Sequence, residues 1–251
     1  MPSPDSTAAH PVFVCLHYWA GSGREWAEVA AALAPEYTCL TPDLGGFGDA
    51  PAPAGGFSVA AYADSIAALV AENQLTSFIL VGHSMGGKIA LDLAARQPVG
   101  LRGLVLLSPS PPSPEPMTDE DRTNSLRAYG NTTAAVGTFS HITVRPVSPE
   151  IRAQIIEDNL RSSREAWDAW LLRGSRENIT SHLGELPVPC TILAGDADPV
   201  MSPSVHGLET LPYLPEGTHL EIIKGAGHLL PLEAPEEVAA LLRKFAAGLA
   251  R

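Results

Sequence analysis

Three residue types that together make a nucleophile are spread along the chain. A serine framed by glycines stands in Gly82-His83-Ser84-Met85-Gly86-Gly87, two aspartates in Gly195-Asp196-Ala197-Asp198-Pro199, and a histidine in Gly225-Ala226-Gly227-His228. A serine hydroxyl is a weak nucleophile near neutral pH, so it needs a base to accept its proton and a carboxylate to orient that base. Of eight histidines, His228 is favoured as the base because it follows the last strand-like run, where a loop reaches the carboxyl edge of a parallel sheet. Asp198 is favoured as the acid, since it lies beyond a strand end and before Pro199, whereas Asp196 suits the turn itself. The order Ser84, Asp198, His228 is the order expected around a G-x-S-x-G elbow.

The glycines have a physical task in such an elbow. The serine backbone is strained and the strand and helix approach closely, so a side chain at Gly82 or Gly86 would clash. A phosphate-binding loop overlaps the same residues, because Gly82 to Lys88 comes close to G-x-x-x-x-G-K. Ile89 breaks that pattern where a hydroxyl must hold Mg²⁺. His17 and His83 flank the proposed site and read as hydrogen-bonding residues beneath it. Lys88 and the arginines of the middle segment read as solvated. No H-E-x-x-H, paired C-x-x-C or G-x-G-x-x-G occurs, so neither a metal nor any cofactor is implied.

The elements that must position these residues alternate. Strand-like runs are expected at Val12 to Tyr18, Tyr37 to Thr41, Ser77 to Val81, Leu101 to Leu107, Cys190 to Ala194 and Leu220 to Lys224. Helical patterns are expected at Gly23 to Glu36, Val59 to Glu72 behind Ser58, Met85 to Arg96, and Pro235 to Ala250. Such a series implies an α/β fold with a mostly parallel sheet covered on both faces. Between Ser108 and Pro187 the strand signal vanishes. A proline-rich stretch from Pro111 to Pro116 leads into helix starts at Ser148-Pro149-Glu150 and Ser163-Arg164-Glu165, which reads as an inserted helical lid. Trp167, Trp170 and Leu171 share one face there and read first as the lid's packing face.

Composition narrows the partners. With 28 acidic against 16 basic residues the formal charge is −12, which repels phosphate backbones and anionic lipid, so neither nucleic acid nor membrane is an expected partner. No apolar run nears the roughly 18 residues of a membrane span, and MPSPDSTAAH has no secretory pattern, so a cytoplasmic protein is expected. Cys15, Cys39 and Cys190 sit in separate strand runs and read as buried thiols. No residue reads as a dimer interface.

With these residues placed, the chain from Val12 to Phe245, outside the insertion, resembles the α/β-hydrolase superfamily. His17-Tyr18-Trp19-Ala20-Gly21-Ser22-Gly23 looks like its oxyanion loop, Pro42-Asp43-Leu44-Gly45-Gly46-Phe47-Gly48 like its turn after the next strand, and Gly195 to Asp198 like its acid turn. The resemblance implies an α/β-hydrolase core over residues 1–111 and 187–251, with a helical cap over residues 112–186. It implies backbone N–H donors at Trp19 and Met85 for an oxyanion. Tyr18 stands where the family usually has glycine, which directs an aromatic ring toward the pocket. Few residues precede Val12, so the usual N-terminal hairpin is expected to be absent, leaving about six strands.

The implied activity is that of a carboxylesterase-type serine hydrolase acting on an ester, thioester or lactone through an acyl-enzyme. Its partner would be a small-molecule acyl substrate, small to medium and hydrophobic, against Tyr18, Met117, Phe139, Trp167 and Trp170. Serine rather than aspartate at the elbow argues against the epoxide-hydrolase and dehalogenase branches. C–C hydrolases, perhydrolase-type haloperoxidases and a menaquinone-pathway lyase are similar and would use the same triad. A lyase would want basic residues for an acidic substrate, which Arg122, Arg127, Arg145 and Arg152 could supply. A non-enzymatic ligand receptor on the same fold is the reading from another class.

Overall fold

A computed structural model describes residues 10–184 and 186–249. β1 (Val12–Leu16) enters the centre of a sheet, and the chain returns through a 3₁₀ turn (Gly23–Trp26) and α1 (Ala27–Leu33) to β2 (Cys39–Leu40). The single long helix expected over Gly23 to Glu36 is therefore split. Ser22 caps the 3₁₀ turn by accepting the Arg24 N–H, and α1 ends just before Pro35. α2 (Val59–Glu72), capped by Ser58, leads to β3 (Phe78–His83), α3 (Met85–Ala95) and β4 (Leu101–Leu107).

Between β4 and the next strand lie five helices: α4 (Asp119–Ala128), α5 (Thr132–Ile142), α6 (Pro149–Arg161), α7 (Arg164–Leu172) and the short α8 (Thr180–Leu183). Thr118, Asn131, Ser148 and Ser163 cap the first four with side-chain oxygens. α6 and α7 start where the sequence indicates. α4 carries almost no apolar stripe: its only buried residue is Arg122, so hydrophobic periodicity could not reveal it. The chain then completes β5 (Cys190–Gly195), α9 (Pro203–Glu209), β6 (His219–Ile223), α10 (Leu230–Glu233) and α11 (Pro235–Leu249).

The six strands are all parallel, in the order β2-β1-β3-β4-β5-β6. Alternation along them feeds two cores. Val14, Leu16, Leu80, Leu104 and Leu106 pack with α2, α3 and α7 on one face, while Phe13, Cys15, Ile79, Val81 and Val105 pack with α1 and α11 on the other. The order reverses between β1 and β3, since β2 lies to one side of β1 and every later strand to the other. Loops at the carboxyl ends of β1 and β3 part there and leave a crevice. The three cysteines are free thiols, Cys15 and Cys190 buried and Cys39 half-buried. Among the described residues no helix is long and apolar enough to cross a membrane.

Candidate active site

Ser84 sits on the residue between β3 and α3 with φ +50° and ψ −116°, a strained backbone for a residue with a side chain. Three hydrogen bonds hold it: its N–H donates to Leu107 O at 3.0 Å, and its carbonyl accepts from the N–H groups of Gly87 and Ser110, each at 2.9 Å. The flanking glycines are steric necessities. A Cβ on Gly82 would lie 2.5 Å from Gly86 O, and one on Gly86 would lie 2.4 Å from Leu16 O. Close approach at Gly86 brings the end of β1, and with it the loop of Tyr18 and Trp19, against the start of α3.

The loop after β6 carries His228 to this point. Its Nε2 lies 3.0 Å from Ser84 Oγ, and its Nδ1 lies 2.8 Å from Asp198 Oδ2. Asp198 Oδ1 accepts two further hydrogen bonds, from the N–H groups of Val200 at 2.8 Å and Met201 at 2.9 Å. A carboxylate so held faces Nδ1 as an acceptor, so Nδ1 carries the proton and Nε2 presents its lone pair to the serine. Burial alone would raise the Asp198 pKa, but the charge and hydrogen bond of His228 and the two N–H groups outweigh it and hold the carboxyl well below the carboxylate range. Burial depresses His228, yet the charge and hydrogen bond of Asp198 reverse this and leave it raised above its ordinary 6.5.

Ser84 and His228 open into a cavity of about 510 Å³, also lined by Tyr18, Trp19, Met117, Phe139 and Trp170. The cavity-lining residues include Glu115 and Asp121 and no lysine or arginine. Among the described residues the backbone N–H groups of Trp19 and Met85 donate no hydrogen bond to the protein, and that of Met85 stands at the N-terminus of α3, where the helix dipole favours negative charge.

A family model described as alpha/beta hydrolase fold matches residues 11–146. The chain belongs to the α/β-hydrolase family. The putative non-heme bromoperoxidase BpoC of Mycobacterium tuberculosis is 30% identical to it, over 91% of this chain and 90% of that protein. The 2-succinyl-6-hydroxy-2,4-cyclohexadiene-1-carboxylate synthase of Enterobacter sp. (strain 638) is 39% identical over 100 residues, a stretch covering 38% of this chain and only 36% of the synthase's length. An esterase structure from Exiguobacterium antarcticum superposes with a TM-score of 0.86 at 20% identity, covering 95% of this chain and 92% of that one, which shows a common fold.

Most of the sequence-indicated residues of this α/β-hydrolase meet at the cavity. Trp167 does not line it: the side chain is 2% exposed, packs on Trp19 at 4.2 Å between ring centroids, and donates from Nε1 to Ser125 O. Lys88 is fully buried rather than solvated, because the segment after β4 covers α3 and its Nζ donates to Ser113 O at 3.0 Å. Arg122 is buried too, its guanidinium donating to Leu171 O and Ser175 Oγ. None of Arg122, Arg127, Arg145 and Arg152 lines the cavity. Asp196 shapes the turn, accepting the Gly225 N–H at 2.6 Å.

Sequence reasoning overlooked Glu233, which holds the hydrolase's loops. Glu233 accepts four backbone N–H bonds, from Val144, Arg145, Gly227 and Leu229, at 2.8 to 3.0 Å. It thereby ties the end of the α5 segment to both neighbours of His228, whose own N–H donates to Ile142 O at 2.9 Å. Asp43, in the loop after β2, does similar work, accepting from Gly23 and Asp49 N–H, and Gly48 beside it has φ +54° and no room for a Cβ, which would lie 2.2 Å from the carboxylate. Nothing in spacing or periodicity marks Glu233, since its partners are main-chain groups distant in sequence.

Proposed function

We propose that this protein is a serine hydrolase that cleaves a carboxylic ester, thioester or lactone through an acyl-enzyme. The observation that carries the reading is the relay Ser84 Oγ, His228 Nε2, His228 Nδ1, Asp198 Oδ2, with steps of 3.0 and 2.8 Å, opening on one cavity. His228 accepts the Ser84 proton as Oγ attacks the acyl carbon, and Asp198 stabilises the imidazolium. The N–H groups of Trp19 and Met85 receive the tetrahedral oxyanion. His228 then gives its proton to the departing alkoxide. A water molecule, deprotonated by the same histidine, attacks the acyl-serine and frees the acid. Tyr18, Met117, Phe139 and Trp170 favour an apolar acyl or alcohol group of small to medium size.

The likeness to BpoC supports a second reading that keeps the acyl-enzyme and changes only the attacking molecule. Hydrogen peroxide in place of water would release a peracid and regenerate Ser84. A synthase activity finds less support. The product named for the Enterobacter enzyme carries a carboxylate, and no lysine or arginine lines the cavity here.

The test is a stopped-flow assay of wild type and Ser84→Ala with p-nitrophenyl acetate, butyrate and octanoate, with and without peroxide. A burst followed by turnover in wild type alone is expected. Equal rates in Ser84→Ala would overturn the mechanism, and peracid formed with peroxide would favour the second reading.

A further inference from the structure

Glu115 lies on the segment between β4 and α4, and its place in the cavity is unlike that of any other acid there. The residue is 8% exposed, lines the same cavity as Ser84, and among the described residues no ion pair holds its carboxylate, whose hydrogen-bonding neighbour is the Ser110 hydroxyl. Asp121, the other acidic lining residue, is exposed and its carboxylate accepts from Thr118 Oγ1 at the start of α4. A buried carboxylate without a paired countercharge costs free energy unless something in the cavity satisfies it.

Two buried cations stand near Glu115 without pairing to it. Lys88 donates to Ser113 O and Arg122 to Leu171 O and Ser175 Oγ. Burial raises the Glu115 pKa above its ordinary value, and the Ser110 hydroxyl and the charges of Lys88, Arg122 and His228 offset this only in part. Lys88 and Arg122 thus act on Glu115 as neighbouring charges, while Glu115 itself lines the cavity. In its ionised form a carboxyl in that position accepts hydrogen bonds from a hydroxyl or amine and repels a second carboxylate.

Resting on the acyl-enzyme reading above, we infer that Glu115 is a specificity-determining residue that selects substrates bearing a hydroxyl or amine donor in the part that reaches it and rejects those bearing a carboxylate there. A site built to hydrogen-bond a donor discriminates strongly against the analogue lacking it, because its own polar group is then left unpaired.

The experiment compares kcat/KM for p-nitrophenyl esters of straight acyl chains of six, eight and ten carbons ending in methyl, hydroxyl, ammonium or carboxylate. In wild type, at the chain length that reaches Glu115, the hydroxyl or ammonium ester should exceed the methyl ester by about 10- to 100-fold, and the carboxylate ester should be worst. The better of the two donors tells whether Lys88 and Arg122 leave room for a cation. In Glu115→Gln the ratio of donor to methyl ester should fall toward one. A wild-type ranking without donor preference, a carboxylate ester in first place, or a preference that survives Glu115→Gln would each overturn the inference. If wild type turns over no ester, the acyl-enzyme reading fails on its own. Calorimetry on Ser84→Ala with 1,8-octanediol and octanoate then decides the subsite: tighter diol binding supports it, and equal binding or tighter octanoate overturns it.

Discussion

His83 Nε2 lies 2.8 Å from the carbonyl oxygen of His228. A carbonyl only accepts, so His83 donates, and the residue preceding the elbow serine grips the backbone of the residue that faces that serine. The other face of the His83 ring meets the buried Glu25, with Nδ1 3.3 Å from each carboxylate oxygen. This fixes the height of the His228 loop over β3 from below, as Glu233 fixes it from the side. Replacing His83 by Leu is expected to lower kcat by about 10- to 100-fold, since a misplacement of about 1 Å in a reacting pair costs that much. KM should change little, because His83 does not line the cavity. Steady-state kinetics with a p-nitrophenyl ester reads the split, and a KM effect alone would contradict the positioning role.

The two aspartates of the acid turn separate cleanly. Asp198→Asn should keep the fold and lower kcat by about four orders of magnitude, because the amide can no longer hold His228 in the required tautomer. Asp196→Asn loses only an acceptor for the Gly225 N–H and should retain most activity. Comparable losses from both variants would contradict the assignment of Asp198.

The pH dependence follows from the direction of the His228 shift. His228 must be neutral to accept a proton, and its pKa is raised above 6.5 by Asp198. kcat/KM should therefore fall as pH drops through a midpoint above 6.5, about tenfold per pH unit. In Asp198→Asn the largest raising influence is gone, with only the charges of Glu115 and Glu25 left to oppose burial, so the residual acid limb should move to lower pH. A pH–rate profile of both proteins tests the shift.

Lys88 carries a stability signature. Burial lowers its pKa from 10.5 to about 8, so between those values the unfolded chain binds the proton that the folded chain has released. Stability contributed through this group should rise as pH increases from about 8 to 10.5, by on the order of 3 kcal/mol. Lys88→Met removes the buried charge and keeps the bulk, so its urea midpoint should be as high as that of wild type below pH 8 and lack the rise. Urea titrations across this range distinguish the two.

Much of the core was legible because burial is periodic there. β3 is apolar on both faces, α2 runs over Val59–Glu72 behind its Ser58 cap as indicated, and the helix starts at Ser148 and Ser163 are marked by side chains that cap them. Where folding depends on polar residues, the signal is lost. α4 buries only an arginine, β2 shrinks to two edge residues, and Lys88 reads as solvent-facing until the segment after β4 is seen to lie over it.

The sequence by itself determined the alternation of strands and helices, the glycine-framed turn at Ser84 and the order of serine, acid and histidine. These follow from local forces: side-chain periodicity, caps, and backbone that only glycine tolerates. Tertiary structure alone decided that Trp167 belongs to the packing around Trp19 while Trp170 reaches the cavity, that Glu233 joins two distant loops, and that Glu115 lines the cavity, with no ion pair to it among the described residues. Each of these depends on which segments the fold brings together across long sequence separations, and on the direction a side chain takes there.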